Sequence, residues 1–169
     1  RIKELNNKLI VTVGSYDMNL FGDRSIPQSK NTAVGKVIEI DKQGNYSVLS
    51  MGHRNQQGLE IVNDKIFITE HGPMGGDEVN EIKKGGHYGW PYYAYGFDYD
   101  YREKFRFPHQ GEYKNPVYYF TPSLGISELK FYEGDEFQRW KNKFLVTSLK
   151  HKSIYLLDYD SQENRIISS

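Results

Sequence analysis

The sequence predicts an all-β fold, a partial β-propeller of about three four-stranded blades. Three observations predict it. First, a strand motif recurs as Asn7-Lys8-Leu9-Ile10-Val11-Thr12, Asp64-Lys65-Ile66-Phe67-Ile68-Thr69 and Asn142-Lys143-Phe144-Leu145-Val146-Thr147. Each copy goes from a turn residue and a lysine into a β-branched and aromatic run, the pattern of a buried strand leaving a turn. Second, aromatic residues reach 15% against 37% hydrophobic overall, so much of the apolar area lies on side chains that favour sheets. Third, the repeated units differ mainly in their loops, as propeller blades do.

Each copy of the motif sits inside a larger unit. A short apolar piece precedes it: Ile2 to Leu5, Leu59 to Val62 and Leu129 to Tyr132. An alternating strand follows it: Lys36 to Asp41, Glu78 to Lys83 and Ser153 to Asp158. Tyr46 to Leu49 and Val117 to Phe120 supply fourth pieces. The expected blades are 1–52, 53–122 and 123–169 of one domain, with the extra length lying in the loop from Tyr92 to Asn115. Propellers carry roughly four to eight blades. Three blades therefore leave two raw sheet faces, which predicts either further chain or a homodimer closing through those faces. An ordinary β-sandwich is the alternative. The chain starts at Arg1 with no initiator Met or signal peptide and stops just after Ile166-Ile167, so both ends are expected to be cut from something longer.

Composition excludes several classes. Lys+Arg and Asp+Glu both number 22, so no general attraction to nucleic acid or anionic lipid is expected. There is no Cys, and hence no disulfide or thiolate chemistry. No apolar run is long enough for a membrane span. The His residues form no zinc-type spacing, and no dinucleotide fingerprint, phosphate-binding loop or nucleophile elbow is present. Asn45-Tyr46-Ser47 is a glycosylation sequon whose use depends on the source.

Two stretches carry candidate chemistry. Gly52-His53-Arg54-Asn55-Gln56-Gln57-Gly58 places an arginine among amides between two strands, which suits a planar ligand bearing carboxylates. A structural Arg closing a turn is the alternative. Thr69 to Pro91 runs from a strand into a polar, Gly-rich segment with Glu70, His71, Asp77, Glu78 and His87. Its carboxylates and loop carbonyls are oxygen donors of the kind calcium takes, although the spacing matches no EF-hand, and a solvated acidic pair is the alternative. In a propeller, the residues after each buried strand share one mouth. Val13-Gly14-Ser15, Glu70-His71-Gly72-Pro73 and Ser148-Leu149-Lys150 are therefore expected to converge.

GHRNQQGLE at 52–60 and TEHGPMGGDEVNEIKKGGHYGWP at 69–91 resemble the soluble quinoprotein glucose dehydrogenase and aldose sugar dehydrogenase family. The likeness continues through Pro116 to Ser123, Phe131 to Asp135 and Ser148 to Lys150, and so covers nearly all of the chain. The resemblance implies a six-bladed propeller that uses pyrroloquinoline quinone (PQQ) and calcium, works in the periplasm or outside the cell, and passes electrons from a sugar to an acceptor. It implies that Arg54, Asn55 and Gln57 bind the quinone, with Lys150 pointing to it from the next blade. It implies that carbonyls of Gly72 and Pro73 hold the catalytic calcium, and that Glu78 and the Tyr88 region belong to a second, structural calcium site. The implied reaction removes the proton of the sugar's anomeric hydroxyl and passes hydride to the quinone, giving a lactone.

Departures from the family pattern matter. Gln56 stands where the family has Pro, and Ser15 where it has Asp, with Asp17 two residues on. The family's catalytic His lies before Arg1 and its arginine pair beyond Ser169, so no residue of this chain is assigned the base. A non-catalytic propeller acting as a binding module is the alternative function.

Overall fold

The computed structural model describes residues 1–15, 25–97, 113–163 and 165–168. Asp17 and much of the loop after Tyr92 lie outside them. The first sheet is an antiparallel meander of β1 (Ile2–Leu5), β2 (Lys8–Val13), β3 (Lys36–Ile40) and β4 (Tyr46–Met51). The second holds β5 (Gln56–Val62), β6 (Lys65–Glu70), β7 (Asp77–Ile82) and, after the excursion of β8 (Gly86–His87), β9 (Tyr118–Phe120). The third is β10 (Ile126–Tyr132), β11 (Lys143–Ser148), β12 (Ser153–Asp160) and β13 (Arg165–Ser168).

The recurrent turn-Lys signature has a backbone cause. Asn6 and Asn7 have φ of 51° and 61°, and Asn63 and Asp64 have 50° and 61°. Two-residue hairpins whose twist matches the flanking strands need positive φ at both positions, which Asn and Asp tolerate best. The third unit reaches Asn142, at φ 59°, through a longer loop containing the 3-10 turn Gln138–Trp140.

Period-two alternation directs each strand of the middle sheet to two partners. Ile66 and Ile68 pack toward the first sheet with Ile10, Val37 and Leu49. Phe67, between them, packs toward the third sheet with Phe144, Val146 and Leu157. On β5, Glu60 is buried and binds Lys3 at 2.7 Å, Lys130 at 2.9 Å and the Phe131 N–H at 3.3 Å. One carboxylate thus ties the first strands of all three sheets together.

Sequence periodicity did not anticipate β8. After β7 the chain crosses to the first sheet and pairs in parallel with β4, Ser50 opposite Gly86 and Met51 opposite His87. This strap is anchored by the 3-10 turn Ile26–Gln28, where Gln28 Nε2 donates to the Trp90 carbonyl and its Oε1 contacts His87 Nε2 at 2.7 Å. Beneath that turn, Lys36 is wholly buried and donates to the carbonyls of Ile26, Pro27 and Val34.

The two outer faces stay open. Ile2, Leu9 and Tyr46 are exposed on the first sheet, and Ile154 and Ile167 on the third. Among the described residues no helix is long and apolar enough to cross a membrane.

Candidate active-site cleft

β2, β6 and β11 all end at the same edge of the molecule, and a cleft of about 410 Å³ opens there. Arg54 and Asn55, just before β5, form one wall, and His71, Gly72 and Pro73, just after β6, form the next. Ser123, Gly125 and Lys150 close it from the third sheet. Two cationic side chains from different sheets therefore reach one cleft, although 96 positions separate Arg54 from Lys150.

Each residue is held by its neighbours. Arg54 Nη1 donates to the His71 carbonyl at 3.2 Å, and its guanidinium lies 5.3 Å from the Trp90 ring centroid. The Arg54 carbonyl accepts from the Ser15 N–H at 2.7 Å and from Ser15 Oγ at 3.0 Å. Ser15 is fully buried, so it braces Arg54 from behind rather than facing the cleft. The Asn55 carbonyl accepts from the His71 N–H at 2.9 Å. Gln57 is outside the cleft lining; its amide donates to Asn55 Oδ1 at 2.7 Å. Lys150 is exposed, with Nζ 3.4 Å from the Ser123 carbonyl.

The loop after β6 needs glycine. A Cβ on Gly72 would lie 2.2 Å from the Gly75 oxygen, so the turn closes only without one. Asp77 fixes this loop to the third sheet. Its Oδ1 accepts from the Gly72 N–H at 3.1 Å, and its Oδ2 accepts from the Leu124 and Ile126 N–H groups, both at 2.9 Å. Burial alone would raise the Asp77 pKa, but His71, Ser123 and the Ile126 N–H more than offset it and hold the carboxyl below its ordinary value. Among the described residues no hydrogen bond is made to the Gly72 or Pro73 carbonyl, so both oxygens remain available to a hard cation.

Behind the Arg54 wall lies a second, narrower cavity of about 10 Å³, bounded by Glu70, Glu78, Tyr88 and Trp90. Glu70 and Glu78 are directly opposed across β6 and β7. Burial, and then the Glu70 charge, push the Glu78 pKa well above its ordinary value. Asn80 Nδ2 donates to Glu78 at 2.9 Å, while the buried Asn80 Oδ1 has no hydrogen-bond partner among the described residues. His53 is fully buried, 3.2 Å from Glu70 and 2.8 Å from Ser50 Oγ, and stacks on Tyr88 at 4.7 Å. The Tyr88 hydroxyl is already committed, donating to the Glu81 carbonyl and accepting from the Lys83 N–H, and burial raises its pKa strongly. Among the described residues no group of three or more His, Asp or Glu gathers as a metal cluster.

The cleft thus brings together Arg54, Asn55, Gly72, Pro73 and Lys150 and places Gln57 beside it, while Glu78 and Tyr88 border the cavity behind. Ser123 and Gly125 were missed by sequence reasoning because nothing local marks the turn into β10 as cleft-lining. Trp90 was missed because its position depends on the β8 strap, and Glu70, expected at the mouth with His71, Gly72 and Pro73, lies instead in the cavity behind, beside the buried His53.

The ends of the three sheets thus set two cationic side chains, an amide side chain and the Gly72-Pro73 turn around one cleft. The chain matches the family model described as Glucose / Sorbosone dehydrogenase over residues 1–168 and belongs to that family. It is 29% identical over 170 residues to the aldose sugar dehydrogenase YliI of Escherichia coli, covering 86% of this chain and 45% of that protein. It is 40% identical over 90 residues to quinoprotein glucose dehydrogenase B of Acinetobacter calcoaceticus, covering 53% of this chain and 17% of that protein. The apo Escherichia coli aldose sugar dehydrogenase structure superposes with a TM-score of 0.89 at 24% identity, covering all of this chain and 52% of that one. The PQQ-bound form of the Streptomyces coelicolor aldose sugar dehydrogenase superposes with a TM-score of 0.71 at 22% identity, covering 96% of this chain and 44% of that one. The three sheets are thus blades of a β-propeller, and the chain spans under half the length of these curated relatives.

Proposed function

We propose that this chain is the cofactor-binding half of a PQQ- and calcium-dependent dehydrogenase that oxidises aldose sugars to lactones. The observation that carries the reading is the meeting of Arg54, Asn55 and Lys150 around the open carbonyls of Gly72 and Pro73. The donor set fits the cofactor. A planar tricarboxylate needs fixed cationic forks and amides, and Arg54 is held in place by His71 and Trp90. Calcium takes carbonyl oxygens readily, and Gly72 and Pro73 supply two.

When bound, PQQ supplies a two-electron acceptor for the sugar's hydride. The protein's share is binding and orientation. Arg54 and Asn55 hold carboxylates against the β5 wall. Lys150, on the opposite wall, would present its positive charge to an oxygen of the bound group. The sugar enters at the open mouth, and the general base comes from chain outside 1–169. Glu78, with Asn80 beside it, forms a second cation site that braces the floor. The family relationship supports a periplasmic or secreted setting.

The test is a dye-linked assay of the full-length protein with PQQ, calcium chloride and a panel of aldoses. Activity that needs both additions and falls at least a hundredfold in Lys150→Ala is expected, the scale of losing one transition-state donor. Inactivity with every aldose, with PQQ still bound, would favour a non-catalytic binding propeller. The observation favouring that second reading is Ser15, which offers no carboxylate where the family has one and is spent on the Arg54 carbonyl.

A further inference from the structure

We infer that Trp90 is a positioning residue for the cleft: it fixes the Arg54 guanidinium and thereby sets affinity for a carboxylate-bearing quinone. The inference rests on the cofactor reading above and adds a residue from outside the cleft lining.

Arg54, together with His71, Gly72 and Pro73, lines both the cleft and the narrower cavity behind it. A long, flexible side chain in that place loses considerable rotamer freedom on binding unless it is already fixed. One restraint is the His71 carbonyl, at 3.2 Å from Nη1. A second is the indole face of Trp90, 5.3 Å from Cζ and within the range of a cation–π contact. Arg54 Nε is buried, so this contact lies away from bulk water, where such contacts are strongest.

Trp90 is itself immobilised. It is 3% exposed, its backbone N–H donates to the Gly52 carbonyl at 2.9 Å, and its carbonyl accepts from Gln28 Nε2. Gly89 before it has φ of 94°, which aims the strap back over the first sheet. Gly52 and Arg54 lie on the same short turn. Trp90 therefore grips that turn twice, through backbone at Gly52 and through the ring at Arg54. A tryptophan that merely filled core would need neither the cation over its face nor the paired backbone contact.

The test is a double-mutant cycle in the full chain. PQQ affinity is measured by equilibrium titration with calcium chloride present, for wild type, Trp90→Leu, Trp90→Phe, Arg54→Ala and Arg54→Ala/Trp90→Leu. Trp90→Leu should weaken binding about tenfold, the scale of a partly desolvated cation–π contact. Trp90→Phe, which also loses volume but keeps a π face, should weaken it much less. The double variant should bind like Arg54→Ala alone, because Trp90 acts through Arg54. A second readout needs no cofactor: in the free protein the Arg54 Nε–H resonance should be shifted upfield by the indole ring and should move downfield in Trp90→Leu.

Additive losses in the double variant, or equal losses in Trp90→Phe and Trp90→Leu, overturn the inference and make Trp90 a fold residue. An Arg54 resonance that does not respond to Trp90→Leu overturns it as well. Wild type that binds no PQQ while retaining the shifted resonance sinks the cofactor reading first, and the inference with it. Wild type that binds PQQ with an unchanged Trp90→Leu affinity sinks the inference alone.

Discussion

Asp77 and Glu78 are neighbours on β7, yet they point to opposite faces of the middle sheet and live in opposite chemistry. Asp77 faces the third sheet, where backbone N–H groups of Gly72, Leu124 and Ile126 hold its charge. Glu78 faces the first sheet beside Glu70 and finds one amide donor, from Asn80. The two interfaces differ in the same sense. The one toward the third sheet is aromatic and dry, with Phe67, Phe131, Phe144 and Tyr159 in mutual contact. The one toward the first sheet carries His53, Glu70 and Glu78 among aliphatic residues. Aromatic packing is concentrated on one side of the middle blade, and buried acid and imidazole groups on the other.

The largest expected effect tests the dry side. Phe144 is fully buried and contacts three other aromatic rings. Phe144→Ala should cost about 3–5 kcal/mol in urea unfolding, from lost burial and the cavity left behind. PQQ affinity of the surviving folded protein should not change. A parallel fall in affinity would show that the two interfaces are not separable.

Asp77→Asn comes next, because Asp77 belongs to the dry interface but also shapes the Gly72 turn. Losing a charge-assisted set of hydrogen bonds should cost about 1.5–3 kcal/mol at neutral pH. The sign with pH follows from the direction of its pKa. The folded value lies below the unfolded one, so the stabilisation is complete above the unfolded carboxylate pKa of about 3.9 and is lost as pH falls through the folded value. Urea titrations across the acid range should show wild type losing this increment and Asp77→Asn lacking it. Equal acid sensitivity in the two would mean that the N–H cluster does not hold a charged carboxylate.

The dry side was largely legible in the sequence. The Asn-Asn-Lys and Asn-Asp-Lys signatures mark hairpins by their backbone demand, and the alternation of Ile66, Phe67 and Ile68 separates two cores. The cleft was legible where a residue follows a repeated strand, as Pro73 and Lys150 do, since equivalent positions in blades share an edge. The polar support was not. A two-residue parallel strand such as β8 leaves no periodic trace, and only its pairing with Ser50 and Met51 brings Trp90 beneath Arg54. Gln57 could be assigned to the site region but not to its neighbour Asn55, because an amide's partner is decided by rotamer and not by spacing.

Glu78 gives the smallest effect and the most direct contrast with Asp77. Its folded pKa is raised, by burial first and then by Glu70, so any stability linked to its proton is present below the unfolded glutamate pKa of about 4.3 and is lost as pH rises through the folded value. Near neutral pH without added cation, Glu78→Gln should therefore raise stability by about 1 kcal/mol, since it removes a poorly compensated buried acid while keeping an acceptor for Asn80. Calcium should reverse the order. A cation taken up between Glu78, Asn80 Oδ1 and their neighbours stabilises the folded wild type by mass action and has less to bind in the variant. Thermal melts with EGTA and then with calcium chloride decide the matter: a crossing of wild type and Glu78→Gln supports a cation site on the polar side. Parallel shifts would leave Glu78 as a protonated structural acid and make the two faces of β7 differ only in charge state.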